Sequence, residues 1–255
     1  MQFTSTLALA VLSATVLAAP QPHIRQAGAA PSSTTAAAAT APTLSRTAQL
    51  TIADTAADRF TILNKNEDFV FDFGKLARGN AGKGGDVLAA NRKTFPALVG
   101  SGSGMALGFL GPCGFNTPHV HLRATELQVV TSGSVVVEMA PENGVFNIPG
   151  DNKSGRRVIK NTLNVNQMTP FYQGSVHSQY NPNCEPANFV ASFNAEDFGT
   201  GQVADELFAL GDETVAAVFG QAIDGADVDK FRKAIPASVA FGVEECLIKC
   251  GIAKK

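Results

Sequence analysis

Three of the four histidines in this 255-residue chain lie at His119, His121 and His177, and Glu126 follows the second of them closely. On a β-strand, residues i and i+2 point to the same face, so His119 and His121 would present both rings on one side of a sheet. Glu126 has the opposite parity, so a bend or bulge in residues 123–125 must bring its carboxylate to that side. His177 can join only if the intervening strands fold back as hairpins. The pattern predicts a β protein with a metal site formed by His119, His121, Glu126 and His177; three unrelated histidines are the alternative.

The residues that follow this cluster have the composition of strands. Runs of β-branched residues cover 127–131 and 134–139, and Gly133 between them indicates a hairpin. Further candidate strands, separated by Gly, Asn and Pro turns, lie at 157–165, 168–172 and 188–193. Many short strands with frequent turns predict an antiparallel sandwich or barrel, which we assign to residues 49–200.

The periodicity changes after about residue 200, where helices are predicted. Three candidate helices, the second and third starting at Asp212 and Asp227, cover 203–210, 213–219 and 228–235. A fourth runs from Ser238 to Gly251, a residue type that often follows a helix end. We therefore expect a C-terminal helical extension at residues 201–255.

The first 48 residues resemble a leader. The apolar run 6–19 is too short to span a membrane and contains Val16-Leu17-Ala18, a small-residue cleavage pattern, so residues 1–18 are predicted to be a signal peptide. No Lys or Arg precedes the run, so an uncleaved membrane anchor is the alternative. Residues 19–48, rich in Ala, Thr and Pro, predict a disordered linker or pro-segment.

The charge balance argues against two classes of partner. The chain carries 20 basic and 22 acidic residues, a net charge of −2. No basic field would hold nucleic acid or an anionic membrane surface, so we expect neither as a partner.

Two stretches resemble the motifs of the cupin superfamily, particularly secreted fungal germin-like and spherulin-like proteins. The first is His119-Val-His121, four residues, Glu126, six residues and Gly133. The second is residues 174–181, Gly-Ser-Val-His-Ser-Gln-Tyr-Asn, which contains His177. The resemblance covers residues 49–252 and implies a double-stranded β-helix, the cupin jelly-roll barrel, with a metal inside its mouth.

Three positions depart from the germin pattern. Cys113 and Asn166 stand where glycine is usual, and Tyr172 stands where proline is usual. These substitutions fall at turns, so they leave the four metal ligands in place.

The resemblance implies manganese, usually bound in this family by three histidines and one glutamate. Four donors leave two positions of an octahedral ion for water, substrate or dioxygen. The same donors would also bind iron, copper or zinc, so the residues themselves do not select the metal.

Germins include oxalate oxidases, and some members are reported to dismutate superoxide. Asn116, three residues before His119, matches one asparagine of the oxalate oxidase pocket, whereas Ala106 stands where the other would fall. Alanine cannot donate a hydrogen bond to a carboxylate, which weakens the oxalate interpretation. Gln179 shares the face of His177, so Asn116 and Gln179 are candidates to orient a ligand; the alternative is that they satisfy turns.

The four cysteines allow three pairings. If the strands that carry the two motifs lie side by side, as in cupins, the resemblance favours Cys113 with Cys184. Cys246 and Cys250, at i and i+4 on a predicted helix, would then form a strained second bond. A cysteine metal site is the alternative, although no Cys-x-x-Cys pair supports it.

Two functional classes follow. The first is a secreted manganese-dependent oxidoreductase that acts on a small carboxylate such as oxalate or on a dioxygen species such as superoxide. The second is a non-catalytic extracellular or cell-wall protein of spherulin type that binds a ligand or responds to stress. The resemblance also implies homo-oligomers, from dimers to hexamers.

Overall fold

The computed structural model of the protein describes residues 43–79 and 82–253. The predicted signal peptide at 1–18 and most of the predicted linker lie outside the described residues. The first helix begins at Arg46 and is capped by the Ser45 hydroxyl, which accepts a hydrogen bond from the Ala48 amide. The prediction of disorder up to residue 48 is therefore wrong for its last three residues, because a Ser cap starts a helix there.

The strands are β1 (Gly85–Ala90), β2 (Gly104–Leu110), β3 (Gly114–Val120), β4 (Glu126–Ser132), β5 (Ser134–Ala140), β6 (Phe146–Ile148), β7 (Asp151–Arg156), β8 (Ile159–Asn164), β9 (Met168–Phe171), β10 (Val176–Tyr180), β11 (Ala187–Phe193), β12 (Gly201–Gln202) and β13 (Val239–Phe241). The α-helices are α1 (Arg46–Thr51), α2 (Ala56–Ile62), α3 (Val203–Phe208), α4 (Asp212–Val218), α5 (Gly225–Ala234) and α6 (Glu244–Lys249). Short 3₁₀ helices span Asn66–Phe69, Phe73–Lys75 and Pro96–Leu98.

Two antiparallel sheets form the body of the fold. One has the strand order β1-β2-β11-β4-β9, and the other has β12-β3-β10-β5-β8 with β13 also paired to β3. The hairpin β6-β7 stands apart as a two-stranded sheet. Consecutive strands such as β3 and β4 fall in different sheets, as in a jelly roll, so the prediction of a mainly β double-stranded barrel is confirmed.

Alternating burial explains why these segments become strands. In β5, every second residue faces inward, and Val135, Val137 and Met139 are buried. They pack in one cluster with Val130 of β4 and Phe189 of β11, which belong to the opposite sheet. Burial of each such side chain contributes about 1.5–3 kcal/mol, so this interior stabilises the closed barrel.

The two positions where the resemblance expects glycine have left-handed backbones. Cys113 has a φ of 55° and Asn166 a φ of 66°. Glycine adopts this conformation without steric strain, and Asn tolerates it better than most residues. Both substitutions therefore preserve their turns.

The C-terminal segment differs from the sequence prediction in two places. The third predicted helix starts at Gly225 and is capped by Asp224, not Asp227, because the Asp224 carboxylate accepts the amides of the first helical turn. The predicted helix from Ser238 to Gly251 is wrong in its first half, where β13 instead pairs with β3. Val239 is wholly buried there, so tertiary pairing overrides the local helical preference.

Both expected disulfides are wrong. The bonds join Cys113 to Cys246 and Cys184 to Cys250. The two motif strands do bring Cys113 close to Cys184, since the Cys113 amide donates to the Asn183 carbonyl at 3.1 Å. Helix α6, however, folds back beside Cys113 and Cys184. Cys246 on this helix bonds to Cys113, and Cys250 at its end bonds to Cys184.

Among the described residues, no helix has the length and apolar character needed to cross a membrane.

Candidate metal centre

The structure brings the four predicted ligands together inside the barrel. His119 on β3 lies directly opposite His177 on β10, and His121 follows the end of β3. Glu126 is the first residue of β4, in the other sheet. Their donor atoms all lie within 4.8 Å of one another, and each residue is at least nine-tenths buried.

The bend predicted from parity lies between His121 and Glu126. Residues 121–125 form no strand and carry the chain from one sheet to the other. The bend is fixed because the Thr125 amide donates to the Asn194 side chain at 2.8 Å and the Arg123 guanidinium contacts Asp197 at 2.8 Å. Glu126 can therefore face the histidines despite its opposite parity.

Backbone carbonyls orient all three imidazole rings. Nδ1 of His119, His121 and His177 lies 2.8, 2.7 and 2.8 Å from the carbonyl oxygens of Thr117, Gly199 and Ser175. Each contact requires a proton on Nδ1, because a carbonyl oxygen only accepts. In a neutral ring this leaves a lone pair on Nε2, the atom available to a metal.

The atoms that converge on the centre are electron-rich. Nε2 of His121 lies 2.9 Å from Glu126 Oε2, and Nε2 of His177 lies 3.2 Å from the same oxygen. Lone pairs cannot face one another at these distances without a proton or a cation between them. Three imidazole nitrogens and one carboxylate oxygen are ligands that divalent transition metals accept, so the donor set fits such an ion.

Burial and neighbouring charges set the protonation of two ligands. Burial, aided by the neighbouring His177, lowers the pKa of His119 to about 3. Burial alone would raise the pKa of Glu126, but the adjacent imidazoles of His121 and His177 lower it to about 2. At neutral pH, His119 is neutral and Glu126 is an anion, which is the state that metal coordination requires.

Phenylalanine rings hold two of the imidazoles in place. Phe171 stacks on His177 with ring centroids 4.3 Å apart, and Phe193 packs edge-on against His121 at 4.7 Å. Phe193 in turn stacks on Phe198 at 3.8 Å. These rings are not among the residues predicted from the sequence, although the alternation of β11 places Phe193 on the inward face.

A cavity of about 250 Å³ opens onto His119, His121 and Glu126. Its other walls are mostly apolar and come from Val87, Ala89, Ala106, Phe189, Ala191, Phe193 and Phe198. Its polar residues besides the ligands are Asn116, Thr200, Gln202 and Ser238. No Lys or Arg belongs to this lining in the described part of the chain, and Ala106 stands at the wall.

Asn116 and Gln179, the two predicted orienting residues, contact each other. Asn116 Nδ2 donates to Gln179 Oε1 at 2.7 Å, and both side chains are buried. Asn116 lines the cavity, whereas Gln179 does not reach its wall. Gln179 Nε2 has no protein partner.

Gln128 is a buried amide that the sequence analysis missed. It is wholly buried, and neither of its side-chain amide atoms has a partner in the protein. Gln128 lies two residues after Glu126 on β4, and residues i and i+2 of a strand face the same side. This spacing could have predicted that Gln128 points inward with Glu126.

The fold and the site together define a jelly-roll barrel that encloses a cluster of three histidines and one glutamate. The sequence model of the cupin family matches residues 74–224, more than half of the chain. The chain belongs to the cupin family.

Within that family it is similar to spherulins and germin-like proteins. It is 36% identical to spherulin-1A of Physarum polycephalum over 208 residues, which cover 80% of this chain and 78% of the relative. It is 31% identical to germin-like protein 1-1 of Oryza sativa subsp. japonica over 173 residues, covering 66% and 74%. An oxalate oxidase in complex with the substrate analogue glycolate superposes with a TM-score of 0.57 at 21% identity, covering 67% of this chain and 81% of that chain. At this identity the superposition shows a shared fold alone.

Proposed function

We propose that the protein is a secreted manganese-binding cupin that acts as an oxidoreductase on superoxide. The observation that carries the metal assignment is the convergence of three Nε2 atoms and one anionic carboxylate in a buried site. When bound, manganese would supply a one-electron redox couple and could take a small ligand in addition to the protein donors. His119, His121, Glu126 and His177 would hold it.

The cavity supports a small monoanion better than a dicarboxylate. Ala106 presents only a methyl group where an oxalate pocket would use a second asparagine amide. An oxalate dianion would also stand beside Glu126 with no basic side chain in the described lining to offset its charge. Superoxide carries one charge, and the Asn116 amide faces the same cavity as a candidate donor.

The test compares manganese-loaded wild type with His119→Ala in assays of superoxide and of oxalate. We expect superoxide dismutation by wild type and background rates from the variant, because removal of one ligand empties the site. Equal rates from both proteins would overturn the enzyme assignment and leave the second class, a spherulin-type protein that binds a ligand without turnover.

Ala106→Asn tests the choice of substrate. The new amide would add a donor to the cavity wall, and a hydrogen bond to a charged group contributes about 1.5–3 kcal/mol. We expect about tenfold or greater improvement in oxalate binding with little change in superoxide activity. Efficient oxalate turnover by unmodified protein would contradict the preference for superoxide.

The proposed location is outside the cell. The four cysteines form two disulfides, and such bonds persist in oxidising compartments. Amino-terminal sequencing of protein from the culture medium of the native host tests this, and the expected start is residue 19. Recovery of the protein only from inside cells would contradict it.

A further inference from the structure

Three of the four cysteine sulfurs form a cluster beside the first residue of β3, separate from the histidines. Cys246 lies on α6 and Cys250 caps its C-terminal end one turn later, and their sulfurs are 3.9 Å apart although they belong to different disulfides. The sulfurs of Cys113, Cys246 and Cys250 all lie within 4.8 Å of one another. Cys184 is bonded to Cys250, but its sulfur lies more than 4.8 Å from at least one of the other two.

We propose that the reduced protein binds one zinc ion through the thiolates of Cys113, Cys184, Cys246 and Cys250. Structural zinc sites of four cysteines are tetrahedral with Zn–S distances near 2.3 Å, which sets neighbouring sulfurs about 3.8 Å apart. The Cys246 and Cys250 sulfurs already have this separation at 3.9 Å. To complete the tetrahedron, both bonds must be reduced and the Cys184 sulfur must move towards the other three.

Contacts other than the disulfides hold the segments that carry these sulfurs. The Gly242 amide, just before α6, donates to the Cys113 carbonyl at 2.7 Å. The Cys113 amide donates to Asn183, beside Cys184, at 3.1 Å. Leu247 of α6 is buried in the same cluster, so reduction alone would leave the four thiols near one another.

The two disulfides differ in access to a reductant. Cys184 is exposed, whereas Cys113 and Cys246 are buried. A dithiol reductant gives two electrons and two protons to each bond, first to Cys184–Cys250, and itself becomes a disulfide. Zinc then displaces the four thiol protons. A disulfide oxidant releases the ion when it takes two electrons from each pair of thiolates and, with two protons from water, itself becomes a dithiol.

The experiment uses the full protein, reduced with a phosphine so that no added thiol competes for metal. Each disulfide takes two electrons from the phosphine, which becomes a phosphine oxide with oxygen from water. Co²⁺ serves as the probe, because thiolate ligands give a charge-transfer absorption that the histidine and glutamate site, lacking sulfur, cannot produce. We expect this absorption only after reduction, and one more bound zinc per chain than in the oxidised protein.

Two single variants locate the site. Cys184→Ser removes one thiolate and leaves the buried Cys113–Cys246 bond available in the oxidised form, and Glu185→Gln is the matched control beside it. Since loss of even an outer partner of a ligand typically weakens metal binding 10–100-fold, we expect the zinc dissociation constant to rise at least about tenfold for Cys184→Ser alone. Equal zinc binding by Cys184→Ser and wild type would overturn the proposal.

Circular dichroism of each sample separates loss of the site from loss of the fold. We expect the reduced, zinc-loaded protein to retain its strand signal. Absence of the absorption in folded reduced protein would overturn the proposal, and so would unfolding on reduction that zinc does not reverse.

Discussion

At the residue scale, metal binding at the candidate centre requires each histidine to carry its proton on the nitrogen that faces away from the other ligands. Three backbone carbonyls fix that choice for His119, His121 and His177 at 2.7–2.8 Å. The sequence could predict that His119 and His121 share a face because their spacing is a local property of strands, whereas Glu126 and His177 join them only through a bend and the folding back of the chain. It could not predict Thr117, Gly199 and Ser175 as partners, because any residue offers a carbonyl and only the fold selects three of them.

The contact between Asn116 and Gln179 can be tested apart from the metal. Asn116→Ala leaves Gln179 Oε1 buried without a donor, which should lower the free energy of unfolding by about 1–3 kcal/mol. Metal content should not change, because Asn116 supplies no ligand atom. Chemical denaturation and metal analysis check this, with Asn161→Ala, an exposed site on β8, as the control. Loss of the metal from Asn116→Ala would contradict the role we assign.

The lowered pKa of His119 makes the metal-free protein sensitive to acid. Its pKa is about 3 when folded and 6.5 when unfolded, so the unfolded chain binds the extra proton between these values. The unfolding free energy should therefore fall as pH drops from 6.5 towards 3, by at most about 1.4 kcal/mol per pH unit from this group. Glu126, with a pKa lowered from 4.5 to about 2, adds a fall in the same direction below pH 4.5.

Denaturation of the metal-free protein at pH 7.5, 6.0 and 5.0 measures this slope. His119→Asn removes the titrating group, so its stability should vary less with pH over this range. Parallel curves for wild type and variant would contradict the prediction.

At the element scale, the sequence predicted the strands around the site better than the segments that fold back on them. Both β-branched runs form strands, but the hairpin predicted for them is wrong, because β4 and β5 lie in different sheets and Gly133, with a φ of 71°, turns the chain from one sheet to the other. Strand β13 could not be predicted, because three residues become a strand only where β3 offers a free edge. Helix α2 was overlooked although Thr55 and Asp58 form a capping box.

The disulfides, like β13, form only when the C-terminal segment folds back against the barrel. Non-reducing peptide mapping should recover Cys113 with Cys246 and Cys184 with Cys250. These bonds close segments with sequence separations of 133 and 66 residues, for which chain entropy predicts about 4–5 kcal/mol of stabilisation each. Cys113→Ser/Cys246→Ser should therefore melt well below wild type. A peptide that links Cys113 to Cys184 would contradict the structure.

Gly108 on β2 leaves room for the ring of Phe189 on β11. A Cβ there would lie 2.1 Å from the Phe189 ring, which forms part of the cavity wall. Gly108→Ala should therefore displace Phe189 and lower the free energy of unfolding by about 1–3 kcal/mol. Thermal unfolding checks this, with Gly144→Ala as a partly matched control because its Cβ would meet nothing within 4 Å, although its φ of 94° adds strain. Unchanged stability of Gly108→Ala would show that the ring has room to move.

At the scale of the whole molecule, two sheets place ligands from different strands around one point. His119 and His177 come from one sheet and Glu126 from the other, so the site exists only when the barrel closes. Metal binding to the folded state alone should therefore raise the melting temperature with metal concentration. The sequence predicted this architecture because its strand pattern and its ligand spacing agree.

The most direct test of the account measures the metal in protein purified from its native host, with electron paramagnetic resonance to identify the ion. We predict about one manganese ion per chain in wild type, held by nitrogen and oxygen ligands, and little or none in Glu126→Ala prepared in parallel. Protein that is folded and free of any transition metal, or a variant that retains the full complement, would contradict the account.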